Sequence, residues 1–212
     1  MNAKCRACVT AGTFIATVVW LLSGCFSRSQ PTKFYLLQST LGLQTGEVRS
    51  ASGEMKIGIG PIVLPEFLDR PQIVTRIGEN EHQIDEFNQW AESLTFSIAR
   101  VLGENLAILL ATDNIFLFPW RGSTQLDYQV KVGIIRFGGT PGGTAVLDVL
   151  WTIYKGNDAK ELLDMKKSSF SRSTGGEGYE SLVTAQNKML EDFSREIARV
   201  ITAIPKEDSK AE

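Results

Sequence analysis

The chain has 212 residues, 43% of them apolar and 22% charged, with 22 Lys and Arg against 24 Asp and Glu. That is enough chain for one domain with a proper core and too little for two comfortable ones. A net charge of −2 argues against the basic face that nucleic acid requires, and one histidine, His82, is all that any His-based triad or metal site could use.

Lys4 and Arg6 give the start of the chain positive charge, and residues 7–26 carry none. The densest apolar run, Phe14 to Leu22, has the length and polarity of a signal-peptide core. It ends in Leu22-Ser23-Gly24-Cys25, which resembles the lipobox of bacterial lipoprotein precursors: a branched residue, two small ones and a cysteine. The resemblance implies cleavage between Gly24 and Cys25, a diacylglycerol on the Cys25 thiol, and further acylation of the freed amine. Loss of residues 1–24 would leave a mature chain of 188 residues with 20 basic and 24 acidic side chains. The same stretch also reads as an uncleaved anchor, because 20 uncharged residues can span a bilayer; Thr10, Thr13, Thr17 and Ser23 weaken that reading. All three cysteines (Cys5, Cys8, Cys25) lie here, so the mature domain has no means to form an internal disulfide or a thiolate metal cluster. Cys5-Arg6-Ala7-Cys8 has redox spacing but lacks the strand–helix context such a pair needs. Residues 25–32 form the lipidated cysteine and a short polar tether, whose Phe26–Thr32 part reaches about 25 Å when extended. Two or more acyl chains anchor a protein stably. Phe26 stands where an Asp is the usual inner-membrane retention signal, which favours the periplasmic face of the outer membrane, with the inner membrane as the alternative.

The folded domain is expected over 33–205, with 206–212 a charged tail. Lys33–Leu37 reads as a first strand and Met55–Gly60 as a second. Pro61 and Pro65 bracket Ile62-Val63-Leu64 and suggest an edge or a strand exit. Asp69-Arg70-Pro71 is a turn in which Asp69 suits nearby amides, Gln72–Ile77 a strand, and His82–Phe87 its short partner. Asp85 and Glu86, adjacent in a strand, point to opposite faces and cannot act as a carboxylate pair. Phe87, Trp90, Ala91, Leu94, Ile98, Val101, Leu102, Leu106 and Leu109 recur at spacings of three and four and predict a helix, stopped by Thr112-Asp113-Asn114. Ile115–Phe118 reads as a strand closed by Pro119, with Trp120 beyond it as an interface candidate. Gln125–Phe137 and Ala145–Lys155 are long alternating strands joined by the glycine-rich 138–143, a hairpin with a flexible tip. Glu161–Phe170 is a weaker third strand and 171–178 a loop. A second amphipathic helix begins near Gly178 or Tyr179, buries Leu182, Met189, Leu190, Phe193, Ile197 and Ile201, and ends at Pro205. These elements predict an α+β domain: a mixed or mainly antiparallel sheet with two amphipathic helices on one face and the other face partly free.

No Gly-x-Ser-x-Gly elbow and no His-Glu-x-x-His occurs. The glycines at 138–143 lack a following Gly-Lys-Ser/Thr, and Gly175-Gly176-Glu177-Gly178 is a loop. His82 reads as a strand or turn residue facing water.

Gly60-Pro61-Ile62-Val63-Leu64-Pro65, Leu68-Asp69-Arg70-Pro71-Gln72-Ile73-Val74-Thr75-Arg76, Trp90-Ala91-Glu92 and Phe118-Pro119-Trp120 together resemble the ABC-type transport auxiliary lipoproteins, the PqiC-like family. The lipobox, the short tether and the strand at Thr32–Leu37 fit as well. The resemblance covers most of the chain and weakens after Trp120. It implies a non-enzymatic role at the outer membrane beside MCE-domain proteins that bridge the periplasm, in support of lipid movement and envelope integrity. It implies no catalytic residue, no metal and no cofactor other than the lipid on Cys25, and a homo-oligomeric ring as a possible assembly. Asp69, Arg70 and Trp120 are the candidate interface residues. Two other readings compete. An activator of a cell-wall synthase would also be an anchored α+β binding domain, although a seven-residue tether is short for that task. An anchored hydrolase would need a site that the sequence barely offers.

Overall fold

The computed structural model describes residues 30–41, 54–121, 124–156 and 160–205. The expected signal, Gly24, Cys25 and the charged tail 206–212 lie outside the described residues. In chain order the elements are β1 (Lys33–Tyr35), β2 (Ile57–Val63), a 3-10 turn (Glu66–Leu68), β3 (Gln72–Arg76), β4 (His82–Trp90), α1 (Leu94–Leu110), β5 (Ile115–Leu117), β6 (Tyr128–Gly139), β7 (Thr144–Lys155), β8 (Glu161–Ser173) and α2 (Tyr179–Ala203).

The α+β class holds, but the strands form two sheets rather than one. Five run in the order β5-β2-β6-β7-β8, and three in the order β1-β4-β3. The larger sheet is mixed: β2 is parallel to β5 and β6, while β6, β7 and β8 are antiparallel. Both helices pack on one of its faces, α1 over β2 and β5, α2 over β6, β7 and β8, and against each other. The period-two alternation of β7 explains why. Ala145, Leu147, Val149, Trp151 and Ile153 are all buried toward the helices, so every second side chain of one strand enters the core. Trp151 packs edge-to-face on Phe193 of α2 at 5.8 Å and donates its indole N–H to Ser168 Oγ at 3.0 Å, which satisfies the one polar group that its burial removes from water.

Three expectations need correction. The first helix starts at Leu94, not at Phe87. Phe87 and Trp90 belong to β4, whose end is hydrogen-bonded in parallel to β1 through Lys33↔Asn88 and Tyr35↔Trp90. The spacing of 87, 90, 91 and 94 imitates a helical face, but the Trp90 amide donates to Pro71 O and the Ala91 amide to Tyr35 O, so sheet partners hold this backbone. Second, Pro61 lies inside β2, an inner strand, and not at an edge. A register shift between Ile59 and Ile62 absorbs it; the missing N–H falls where the ladder is already interrupted. Third, the tip of the β6–β7 hairpin is tied down. Thr140 Oγ1 donates to Arg76 O, the Gly142 amide to Gly176 O, and Thr174 Oγ1 to Gly143 O. The first strand is also shorter than expected, β1 ending at Tyr35, and β8 is longer, running to Ser173.

Residues 36–41 have no regular structure, yet helix side chains hold them throughout. Arg100 Nη2 donates to Leu37 O at 2.7 Å, Asn187 Oδ1 accepts the Gln38 amide, Ser39 Oγ bonds Asn105 Oδ1, and Thr40 Oγ1 bonds Glu191. Leu37 and Leu41 are buried. The segment is a strap fastened across both helices.

Candidate docking surface

The helices cover one face of the five-stranded sheet, and alternation decides what the other presents. On β7 the outward set is Val146, Asp148, Leu150, Thr152 and Tyr154. Register aligns Leu150 with Gly133 of β6, Val63 of β2 and Lys167 of β8. Gly133 has no side chain, so a shallow apolar depression lies between Val63 (60% exposed) and Leu150 (45%). Met165 (54%) pairs with Thr152 in the next row, and Leu162 and Ile135 are also open to solvent. Exposed apolar side chains grouped on one face mark an interaction surface more reliably than single ones do.

Charge frames this strip. Lys131 Nζ lies 4.7 Å from the centre of the Tyr154 ring, a cation–π contact. Arg136 pairs with Asp148 in the row beyond Leu150. Burial pushes the Asp148 carboxyl up, but hydrogen bonds from Arg136 and Ser169, with Lys167 and Arg136 charge, outweigh it and hold the group below the usual carboxylate range. The pair is therefore a fixed ionic rim at neutral pH.

At the start of β2, Gly58 and Gly60 leave the sheet without side chains, and Phe118 and Trp120 fill the gap. Trp120 lies against Gly58 and packs edge-to-face on Phe118 at 5.3 Å. Gln129 Nε2 donates to Gly60 O at 3.0 Å in the same place. Trp120 is half-buried, and its neighbour Phe118 (52% exposed) is the more open ring. Asp69 and Arg70 lie beyond the other end of β2, after the 3-10 turn: Asp69 is exposed, Arg70 half-buried. The structure thus separates Trp120 from Asp69 and Arg70 by the length of β2, about 16 Å from Gly58 to Val63 at 3.3 Å per residue. The apolar strip between them was missed. Its signal lay in the outward positions of the β6–β7 hairpin and of β8, where Ile135, Leu150 and Met165 stand at places that water-facing strands give to polar residues.

His82 is exposed and stacks near Phe67, ring centres 5.1 Å apart. Asp85 turns toward α2, where it accepts from Tyr179 Oη at 2.9 Å, whereas Glu86 accepts from Gln72 Nε2; the two carboxylates serve different partners. Among the described residues no group of three His, Cys, Asp or Glu is placed to hold a metal ion. A cleft of about 390 Å³ beside α2 is lined by Arg172, Ser173, Thr174, Thr184, Ala185 and Lys188. Arg172 is paired with Asp192 there, and most of the lining is polar.

Two crystal structures share the fold: an uncharacterized protein (TM-score 0.64, 17% identity, 81% of this chain and 99% of that one) and a Xanthomonas campestris protein of the DUF330 family (TM-score 0.63, 13% identity, 80% and 96%). No curated protein matches the sequence. The family model for the ABC-type transport auxiliary lipoprotein component matches residues 35–198, from the last residue of β1 to within the last turns of α2, and the chain therefore belongs to the ABC-type transport auxiliary lipoprotein family.

Proposed function

We propose that this chain is a lipid-anchored, non-enzymatic auxiliary component of an ABC-type transport system, acting at the periplasmic face of the outer membrane beside an MCE-domain partner in lipid movement between membranes. The observation that carries the reading is the pairing of the family match with an open sheet face whose exposed apolar side chains include Val63, Leu150, Met165 and Leu162. Such a face suits a protein partner: an apolar centre with a charged rim is the usual anatomy of a docking patch. The lipobox supplies the anchor, and the single exposed histidine leaves little for acid–base chemistry.

The anchor is tested on the mature protein from membranes. Mass spectrometry should find an acylated Cys25 at the N-terminus, and labelled palmitate should be incorporated; an intact Met1 or a free Cys25 refutes it. The transport role is tested by purification from detergent-solubilised envelopes. An MCE-domain protein and a transporter permease should be recovered together with the lipoprotein. Leu150→Glu combined with Met165→Glu should lower that recovery at least tenfold while circular dichroism stays unchanged, because both side chains leave the folded core untouched. Recovery of neither partner, with a normal envelope in cells lacking the protein, would end the proposal.

A further inference from the structure

We propose that the outer face of the small sheet β1-β4-β3 rests on the phospholipid headgroup layer of the membrane that holds Cys25, with Phe34, Phe87 and Ile84 as the side chains that enter it. The inference rests on lipidation of Cys25 and on two observations from the structure.

The first is where the chain leaves its tether. Lys33 opens β1 and stands eight residues after Cys25. The seven intervening residues reach at most about 25 Å. A folded unit of this length has a radius of gyration near 16 Å and is about 40 Å across. The tether is therefore shorter than the body it holds. β1 has no way to lie on the far side of the domain from the bilayer, and the surface around β1 is held within about 25 Å of lipid.

The second is what that surface carries. Tyr35 packs on Tyr179 of α2, ring centres 6.1 Å apart, so its neighbour Phe34 points away from α2. Phe34 is 64% exposed, the most open large apolar side chain among the described residues. On β4, Trp90 is buried and Asn88 accepts from Tyr35 Oη; alternation then sends Phe87 outward beside Phe34. The register shift between Gln72 and Ile73 resets the alternation across residues 86–88; Asp85 pairs with buried Ile73 and accepts from Tyr179, so Ile84 also faces outward, and Phe67 lies against His82 on the same side. Phe34, Phe67, Ile84 and Phe87 are all exposed. Between them stand Gln72 and Gln89, whose amides donate to the Glu86 carboxylate and to the Glu86 backbone carbonyl. Aromatic and aliphatic side chains among polar ones are the composition of a surface that sinks a few ångströms into the headgroup layer. A peptide held within 25 Å of a bilayer meets it at high effective concentration, so a modest apolar patch suffices.

The mature protein has one cysteine, and its thiol is acylated in this reading, so an added cysteine takes a label alone. Phe34→Cys, Phe87→Cys and, as a control on the other sheet, Leu150→Cys are each labelled with an environment-sensitive fluorophore in the full lipoprotein. Each is reconstituted into phosphatidylethanolamine–phosphatidylglycerol vesicles, with and without brominated acyl chains. Labels at 34 and 87 should lose at least half their emission to the bromines, while the label at 150 loses little. Ile84→Cys repeats the measurement should either phenylalanine variant fold poorly. Equal, weak quenching at all positions, with Cys25 shown acylated by mass spectrometry, overturns the proposal. Energy transfer between labels at 34 on different copies, without bromine quenching, assigns the face to self-association and overturns it too. A free Cys25 removes the lipoprotein reading itself, and the seating falls with it; mass spectrometry of the same sample separates that outcome from the others.

Discussion

Gly60 has a backbone φ of +119°, and a Cβ added there would sit 2.7 Å from Phe118 Cβ. Both facts oppose any side chain, since an L-residue adopts that dihedral only with strain and the neighbour is anchored close to its own backbone. Gly60→Ala should lower the unfolding free energy by about 1–3 kcal/mol, read as a shift of the urea midpoint at constant slope. Gly58→Ala should cost less. Its φ is not positive, and its closest neighbours are side-chain ends: the tip of Leu126 at 2.4 Å and the Trp120 ring at 3.0 Å. At the same scale, Tyr179 carries a pH signature. Burial first, then its hydrogen bond and charge contact with Asp85, push its phenol up to about 12 from the ordinary 10. The folded state therefore keeps a proton that the unfolded chain gives up. The stability this confers is fully present below pH 10 and is lost as pH rises from 10 toward 12. Tyr35 is pushed up as well, by burial first and then by the Glu180 and Asp85 charges; Tyr179→Phe should remove the Tyr179 step from the ultraviolet titration together with its part of the alkaline loss. Asp85 works in the opposite sense. Burial raises its carboxyl, but bonds from the Phe87 amide, Asn88 and Tyr179 hold it below the usual value, so its contribution fades only in acid.

Among the elements, the strap at 36–41 is the least regular and is firmly fixed. Leu37 is fully buried between the helices while Leu36 is exposed, so Leu37→Ala should cost about 2–5 kcal/mol and Leu36→Ala little. Paired thermal melts of the two variants check it; equal effects would mean that the strap is not seated. Arg100 ties the strap to α1 through Leu37 O while pairing with Glu92 and Glu104. Elements also show where sequence reading succeeds. β6, β7 and α2 were legible because their signals are local: alternation that runs along most of each strand, interrupted in β6 only by the register shift between Ile134 and Arg136, or six turns of apolar residues on one side. β4 was cut short, and its last residues were given to the helix, because its partner β1 lies fifty residues away and Phe87, Trp90 and Leu94 mimic a helical repeat. Pro61 misled for a similar reason. A proline is a local signal for an edge, and the irregularity that admits it to an inner strand depends on Gly60 and on β6. The docking face followed from the strand pattern in principle, yet Asp69, Arg70 and Trp120 drew notice because they are chemically conspicuous. Leu150 and Met165 look ordinary until register places them beside Val63 and Gly133.

On the proposed reading, a lipid on Cys25 and a seven-residue tether hold a domain that has exposed apolar side chains on both of its sheets. The leash is the adjustable part. Seating of the small sheet on lipid is an intramolecular event, so it depends on the effective concentration that the tether sets, which falls as roughly the −3/2 power of tether length. Inserting 21 Gly and Ser residues after Arg28 would lengthen the seven-residue tether fourfold, and the ratio of seated to lifted domain should fall about eightfold. The label at position 34 reports that ratio through bromolipid quenching, and the label at 150 should not change. Binding of the transport partner through Leu150 and Met165 need not weaken in parallel. That face belongs to the other sheet, and a freer domain still presents it. A longer tether that weakens seating yet preserves partner recovery would show that the short leash sets the domain's posture at the membrane and the open sheet sets its company. An unchanged ratio would mean that something other than the tether holds the domain down.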